Sequence, residues 1–494
     1  MKKPKLSKFN DQQIQYGNRD DCAQLKIQSK LISNREKHVT MILSGPLFPV
    51  LVKLALPTVG VMFLSAIVSV AETYFVSSLG VDSIAGASLV IPMVMLMIMM
   101  SNGGIGGGVS SAIARAIGAR DVESAERLAY HATLIGIAFG GLFTLVLLVF
   151  GRPIYASLGG TGDALQQALL YSDILFGSAT INWVYILLQS ALRGAGNVKV
   201  PALITLGNVL ACLLLSPVLI LGLLGTPKLG IAGAGYAQLI CNAASLLLII
   251  SYMRSSSSIL RLRRRRIRYH YFQQILAVGL PSSLSAIFSN LSVTAITSVV
   301  GVFGVPALAG YGIASRMEYL LIPVMFGFGT AVLTIVGTNI GAGNIKRARQ
   351  AALLNALFVG AMVELVGLSL AYHPGIWMNL FTSSTDVLFV GEKYLKAVGP
   401  VYGMVAFLFA FYFAGQGAGK VFWPITAVFT RFAFAACGSI VVFLYHQNMD
   451  VLFSIIAIGA LISGMLSAVS FLMFSGRAKQ IEVQRYENVR KLFE

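Results

Sequence analysis

Residues 57–80 read PTVGVMFLSAIVSVAETYFVSSLG, an apolar stretch with a single carboxylate, Glu72, deep within it. A second stretch begins 224 positions later (281 − 57) and reads PSSLSAIFSNLSVTAITSVVGVFG over residues 281–304. The position that corresponds to Glu72 is Ile296. We therefore predict an internally duplicated chain in which only the first copy carries the acid. Identical pairs include Pro57 with Pro281, Thr73 with Thr297, and Gly80 with Gly304.

The duplication continues along the chain at a spacing of 223 (394 − 171), so one position is lost between the two copies. The length of the repeat leaves room for six membrane crossings in each copy. Because six is an even number, both copies enter the membrane from the same side. The matching residues are Gly118-Ala119 with Gly341-Ala342, Tyr171 with Tyr394, Gly194-Ala195-Gly196 with Gly417-Ala418-Gly419, and Pro201 with Pro424.

The composition is that of a membrane protein. Of 494 residues, 56% are hydrophobic and only 11% are charged, and the mean hydropathy is +0.78. Apolar runs recur from residue 46 to residue 474, each long enough to cross a bilayer, which takes about 20 residues. We predict an all-α polytopic protein with twelve transmembrane helices, in two six-helix lobes related by a pseudo-two-fold axis along the membrane normal. The predicted spans are 47–79, 84–116, 124–150, 164–191, 198–222, 230–253, 271–302, 306–340, 346–372, 387–415, 421–445 and 450–474.

Lys and Arg predict the orientation of these spans. With the N-terminus inside, the inner segments hold most of the basic residues, whereas the outer loops hold only Arg152 and Lys228. We predict that both termini are cytoplasmic and that the chain spans the inner membrane of a bacterium many times. The predicted organisation is a cytosolic basic tail (1–45), an N-terminal lobe (46–254), a basic cytoplasmic linker (255–270), a C-terminal lobe (271–474) and a cytosolic C-terminal tail (475–494).

The linker contains the run RLRRRRIR over residues 261–268. Such a run suits binding to anionic lipid or to nucleic acid, and it equally suits a charge anchor between spans six and seven. We favour the anchor, because the net charge of +18 lies mainly in segments predicted to be cytoplasmic. The phospholipid bilayer is the expected partner of the chain, and nucleic acid is not. The chain is expected to be a monomer.

No enzymatic motif survives inspection. The run GQGAGK over residues 415–420 resembles a phosphate-binding loop, but Val421 stands where Ser or Thr is needed. The five histidines are scattered, and the four cysteines have no metal-ligand spacing; we interpret the cysteines as small apolar residues. We predict a protein that is not an enzyme, with no catalytic residues, no metal site and no cofactor. If the protein moves a compound against its concentration gradient, an ion gradient of H⁺ or Na⁺ must drive that transport.

Glu72 is the strongest candidate for coupling to such a gradient. A charged acid at membrane depth is unfavourable by a few kcal/mol, and therefore usually faces a cavity or a partner. Thr73 lies beside it, and Ser69 lies about one turn earlier on the same face. Weaker candidates are Asn208 and Asp173. The alternative interpretation is a carboxyl group that is satisfied by its Ser and Thr neighbours or lies near the outer interface.

A substrate cleft between the lobes is predicted to be lined by Met93 and Met97, which share a helix face, and by the amides Asn182 and Gln189. Flexible thioethers suit a surface that accepts varied apolar cations. The alternative interpretations are lipid-facing methionines and amides that hydrogen-bond between helices.

At this point the motifs resemble the multidrug and toxic compound extrusion (MATE) family. The strongest match is GYGIASRME over residues 310–318, continuing through Pro323 to VGTNIGAGN over 336–344. Two further motifs resemble the family: RGAG over residues 193–196, followed by Pro201, and GIAGA over residues 230–234. The resemblance covers residues 46–474, and its ordered set of motifs is specific even though each single motif is weak.

The resemblance implies a secondary antiporter that exports small organic cations or drugs from the cytoplasm, driven by entry of protons or, less well supported, of sodium. In many bacterial members an acid stands in the first span beside a threonine, so Glu72 and Thr73 inherit the ion-site role. Segments 275–302 and 396–415 contain no acid, unlike the NorM branch, so the pattern is nearest the DinF-like branch. The alternative function is a flippase for a lipid-linked precursor, from the same superfamily.

Overall fold

The computed structural model of the chain describes residues 39–445, 448–469 and 471. The described residues are helical and contain no β-strand. Eleven helices are long and apolar enough to cross a membrane, and a further pair, bent by 49° at Ser178, makes the fourth of twelve spans. Numbered 1 to 12 in chain order, the spans are Leu47–Ser77, Val81–Gly118, Val122–Ser157, Gly162–Gly177 with Ala179–Gly194, Lys199–Leu221, Ile231–Arg254, Tyr269–Val302, Val305–Gly341, Ile345–Tyr372, Thr385–Ala418, Phe422–Leu444 and Met449–Val469.

The predicted fold class is confirmed, since each predicted span coincides with an observed one. The main difference is in span 3, which continues through Pro153 to Ser157 where the prediction ends at residue 150. A 3₁₀ turn, Gly399–Val401, interrupts span 10, and the short helix Gly375–Met378 lies in the loop before it. Residues 1–38 and 472–494, which carry most of the two predicted tails, lie outside the described residues.

The repeat is visible in the backbone. Gly80 and Gly304 precede spans 2 and 8, with φ and ψ of 107° and 173° at Gly80 and 100° and 173° at Gly304. Side chains rarely tolerate positive φ, so glycine is the residue that both copies need at this turn. Each copy therefore folds into its own six-helix lobe, the N-lobe from spans 1–6 and the C-lobe from spans 7–12.

Spans 1 and 7 cross between the lobes. The first turns of span 1, including Leu51 and Leu54, are buried in the hydrophobic core of the C-lobe. In the same way Tyr271 and Ile275, at the start of span 7, lie in the core of the N-lobe. The far end of span 1 returns to its own lobe, where Val76 packs with residues of spans 5 and 6. The two lobes are thus joined where spans 1 and 7 begin.

We call the membrane side on which span 1 begins the proximal side and the opposite side the distal side. At the proximal side the lobes meet through a reciprocal pair of glycines. A Cβ on Gly118 would collide with the carbonyl oxygen of Thr338, and a Cβ on Gly341 would collide with that of Arg115. The two contacts are equivalent in the repeat (341 − 118 and 338 − 115 are both 223). This close approach closes the proximal side in this conformation.

Polar contacts complete the proximal closure. The hydroxyl of Ser111 donates to the carbonyl oxygen of Gln416, and Arg115 lies 3.4 Å from the carbonyl oxygen of Gly417. The amide of Gln416 donates to the carbonyl oxygen of Gly103 at 2.8 Å. Gly103 belongs to a π-helical segment, Met99–Ile105, in the middle of span 2. Such segments often mark functional positions within a helix.

The linker is ordered against span 3. Arg265 forms a 2.8 Å ion pair with Glu126, and the backbone N–H of Arg268 donates to Nε2 of His131 at 3.0 Å. Leu260 is fully buried. The last residues of the predicted N-terminal tail are also held, because Arg347 donates to the carbonyl oxygens of Ile42 and Gly45. These contacts hold the linker and the segment before span 1 against neighbouring helices, and the charge-anchor role of the linker stays a prediction.

Candidate functional site

Glu72 lies in the distal half of span 1 and its side chain faces the interior of the N-lobe. Its carboxylate oxygen Oε1 accepts a 3.1 Å hydrogen bond from the thiol of Cys212 in span 5. Oε1 of Gln238, in span 6, lies 3.7 Å from the same thiol. The carboxylate is half-buried, whereas Cys212 is buried. Glu72 therefore sits among three helices of one lobe.

Below Glu72 the polar residues of spans 4, 5 and 6 face one another. Asn208, about one turn from Cys212, donates to Asn242 at 3.1 Å and to Ser245 at 2.9 Å. One turn further, the hydroxyls of Tyr185 and Thr205 lie 3.3 Å apart. Residues at a spacing of three or four lie on one helix face, so each span contributes a polar stripe. We call this set the polar column; it comprises Tyr185, Gln189, Arg193, Thr205, Asn208, Cys212, Gln238, Asn242 and Ser245.

The structure places the other predicted ion-site residues apart from Glu72. The hydroxyl of Thr73 donates to the carbonyl oxygen of Ser69 at 2.9 Å, and both side chains are exposed. Neither hydroxyl contacts the carboxylate within the described part of the chain. Thr73 follows Glu72 directly, which turns its side chain by about 100° around the helix. Asp173 is exposed in span 4, and Asn208 joins spans 5 and 6 as interhelical hydrogen bonding predicts.

The predicted cleft residues do not form one surface. Met97 is 1% exposed and lies in the core of the N-lobe, with Met93 packed against the same core. Neighbouring helices enclose Met97 in this conformation, and the assignment of Met93 and Met97 to a substrate cleft stays a prediction. Gln189 is buried in the polar column, and Asn182 is half-buried about two turns before it.

The other membrane acids have partners that differ from those of Glu72. Glu318 accepts hydrogen bonds from Tyr394 at 2.5 Å and from Arg431 at 3.1 Å, which makes it half of an ion pair. Glu364 accepts from the backbone N–H of Gly403 at 2.6 Å. Within residues 39–445 no cation pairs with Glu72, whose described hydrogen bond comes from a thiol. The equivalent position in the C-lobe, Ile296, is part of that lobe's core.

Two features of the site were missed from the sequence. Cysteines in apolar segments usually fill space, so the contact between Cys212 and Glu72 was not anticipated. Arg193 was noted as part of a glycine motif, whereas the structure buries its guanidinium in the polar column. The spacing Thr205, Asn208 and Cys212 on one face of span 5 is the signal that could have indicated a polar face there.

The fold and the site together define a class of protein: a duplicated, two-lobed membrane transporter in which the acid of span 1 has no counterpart in span 7. The family model MatE matches the chain twice, over residues 57–218 and 281–441. The two matches begin 224 positions apart, as the repeat does. The chain therefore belongs to the multidrug and toxic compound extrusion family.

Curated relatives have names that describe transport. The chain is 26% identical over 376 residues to an "FAD transporter" of Shewanella oneidensis, covering 75% of this chain and 82% of that protein. It is 25% identical over 386 residues to the "Multidrug export protein MepA" of Staphylococcus aureus, covering 76% and 83%. The predicted membership in the MATE family is confirmed. The prediction that the chain is a transporter of the multidrug-efflux type is confirmed at the level of the family.

Solved structures share the fold. A MATE crystal structure described as the bent conformation has a TM-score of 0.81 at 23% identity, covering 90% of this chain and 99% of that one. A MOP superfamily transporter from Pyrococcus furiosus has a TM-score of 0.80 at 24% identity, covering 89% and 98%. At this level of identity the likeness concerns the arrangement of twelve helices in two lobes.

Proposed function

We propose that the protein is a secondary antiporter that exports organic cations and drugs from the cytoplasm in exchange for protons, with Glu72 as the proton-coupling residue. The observation that carries the proposal is the environment of Glu72, a membrane carboxylate inside one lobe with a thiol donor and no cationic partner among the described residues. A carboxyl group held in this way has room to take and release a proton. The names of the relatives support export of organic compounds.

In the proposed cycle, Glu72 takes up a proton from the distal side. Protonation removes the charge at the junction of spans 1, 5 and 6, which lets the N-lobe repack and release the exported compound. Inward movement of one positive charge is worth about 2.3 kcal/mol per 100 mV of membrane potential. When one proton is exchanged for one monovalent cation this electrical contribution cancels, so the pH gradient drives export, at about 1.4 kcal/mol per pH unit.

We assign the proximal side to the cytoplasm, with both termini there and the chain in the inner membrane of a bacterium. The concentration of Lys and Arg at the proximal side supports this orientation. The linker that pairs Arg265 with Glu126 then lies in the cytoplasm, near anionic headgroups. In this orientation the closed side of the structure faces the cytoplasm.

Protons are favoured over sodium by the donor set. Na⁺ prefers several hard oxygen ligands, whereas the described hydrogen-bond donor to Glu72 is a thiol and the hydroxyl of Thr73 donates to the backbone carbonyl of Ser69. The test is efflux of a cationic dye from proteoliposomes under a pH gradient or a sodium gradient imposed separately. Efflux under the pH gradient alone supports the proposal, and efflux under the sodium gradient alone overturns the choice of ion.

A further inference from the structure

The guanidinium of Arg193 is buried within the membrane-spanning part of the protein. Arg193 is 8% exposed, and it forms no ion pair within the part of the chain that the structure describes. Its Nη2 donates to Oδ1 of Asn102 at 2.6 Å and to the hydroxyl of Ser190 at 2.8 Å. A buried cation with only neutral partners is unfavourable, since the neutral acceptors replace only part of its hydration.

The guanidinium has donors to spare. Among the described residues, its Nε and Nη1 donate no hydrogen bond, and neither does the amide nitrogen of Asn102. Gln189 and Tyr185 stand on the same face of span 4, one and two turns away. A planar guanidinium flanked by neutral donors matches the oxygens of a phosphate group, which accepts several charge-assisted hydrogen bonds at once. The arrangement thus offers several donors to such an anion.

Residues of the C-lobe pack over Arg193 and the neighbouring part of span 2. The hydroxyl of Thr334 donates to the carbonyl oxygen of Arg193 at 3.1 Å, and Gln416 reaches Gly103, the residue after Asn102. Both contacts belong to the proximal closure, so separation of the lobes on that side would uncover the guanidinium. The π-helical segment that contains Asn102 is an independent sign of function, because a regular helix would place the amide differently.

We propose that Arg193, with Asn102, forms a binding site for a phosphate group of the transported compound, loaded from the proximal side when the lobes part there. The inference rests on the proposed export function and extends its substrate class from organic cations to compounds that carry a phosphate. The phosphate belongs to a soluble ester or to a lipid headgroup, which present the same oxygens to the guanidinium.

The test uses the full-length chain in phosphatidylcholine nanodiscs and a matched pair of fluorescent ligands, 4-methylumbelliferyl phosphate and its neutral parent 4-methylumbelliferone. The wild-type protein is expected to bind the phosphate form at least tenfold more tightly than the parent. Arg193→Gln is expected to abolish that preference while binding of the parent stays unchanged, and Arg193→Lys is expected to keep part of it. Glutamine is already the buried residue at the equivalent position, Gln416 (416 − 193 = 223), so the variant is compatible with this helix packing.

Arg431→Gln is the control, because Arg431 is a half-buried arginine paired with Glu318 in the other lobe. The preference for phosphate should persist in that variant. If inorganic phosphate displaces the fluorescent phosphate ligand, the site is supported and its ligands are soluble phosphate esters. If only phosphatidic acid displaces that ligand, the site is supported and its ligands are lipid headgroups. No preference in the wild type, an unchanged preference in Arg193→Gln, or equal loss in the control overturns the inference. Dye efflux under a pH gradient is measured separately, so failure of the transport proposal is distinguishable.

Discussion

The thiol of Cys212 donates a 3.1 Å hydrogen bond to Oε1 of Glu72, linking spans 1 and 5 at the membrane carboxylate. The two residues lie 140 positions apart, and only the fold brings them together. Because Cys212 also lies within 3.7 Å of Gln238, one side chain connects the acid to spans 5 and 6. This contact is where we expect a change in the charge of Glu72 to reach the rest of the N-lobe.

Replacement of the thiol should slow transport. Cys212→Ala removes the described hydrogen bond to Glu72, which contributes about 0.5–1.5 kcal/mol in a typical protein. We expect the rate of pH-driven dye efflux to fall by about two- to tenfold, with Cys212→Ser retaining more activity because a hydroxyl also donates. Cys437→Ala is the control, since Cys437 is exposed in span 11. Equal rates for Cys212→Ala and the wild type would show that the contact has no part in coupling.

The glycine pair at the proximal side should be required for closure. Gly341→Ala places a methyl group against the carbonyl oxygen of Arg115, so the lobes cannot approach fully. We expect slower efflux and faster labelling of an Ala114→Cys reporter, since Ala114 is fully buried in the closed state. Gly312→Ala in the same span, where an added Cβ meets nothing within 4 Å, serves as the control. Unchanged labelling in Gly341→Ala would contradict the closure.

Glu318 should act in stability rather than in coupling. Its ion pair with Arg431 and its hydrogen bond from Tyr394 join spans 8, 10 and 11. Glu318→Gln should lower the free energy of unfolding by about 1–3 kcal/mol, because charge-assisted hydrogen bonds are lost. Thermal unfolding in detergent measures the effect. Efflux per folded molecule should stay near the wild-type rate, and its loss in a fully folded variant would assign a transport role to this acid.

Much of the fold follows from the sequence because hydropathy and repetition are properties of the chain itself. Twelve apolar segments and a period near 224 predict the spans and the two lobes. The crossing of spans 1 and 7 does not follow, since Leu51 and Tyr271 are apolar wherever they pack. It depends on which lobe surface each helix start meets, and that is decided by packing over the whole protein.

The site was predicted less completely, for reasons of geometry. Glu72 stands out because an acid within an apolar run is unusual, but neighbours in sequence are not neighbours in space. Thr73 is adjacent and points away, whereas Cys212 is distant and makes contact. Arg193 lies at the end of an apolar span, where an arginine normally reaches toward water, and its burial depends on contacts with spans 2 and 8.

The most direct test of the account is gradient-driven efflux by Glu72→Gln in proteoliposomes, beside the wild type and Glu364→Gln. Glutamine keeps the size of the side chain and cannot exchange a proton, so the account predicts that Glu72→Gln folds normally but shows no efflux under a pH gradient. Glu364→Gln, whose carboxylate accepts from the backbone of Gly403, should retain efflux once corrected for folded protein. Efflux by Glu72→Gln at the wild-type rate would contradict the central role of this carboxyl group.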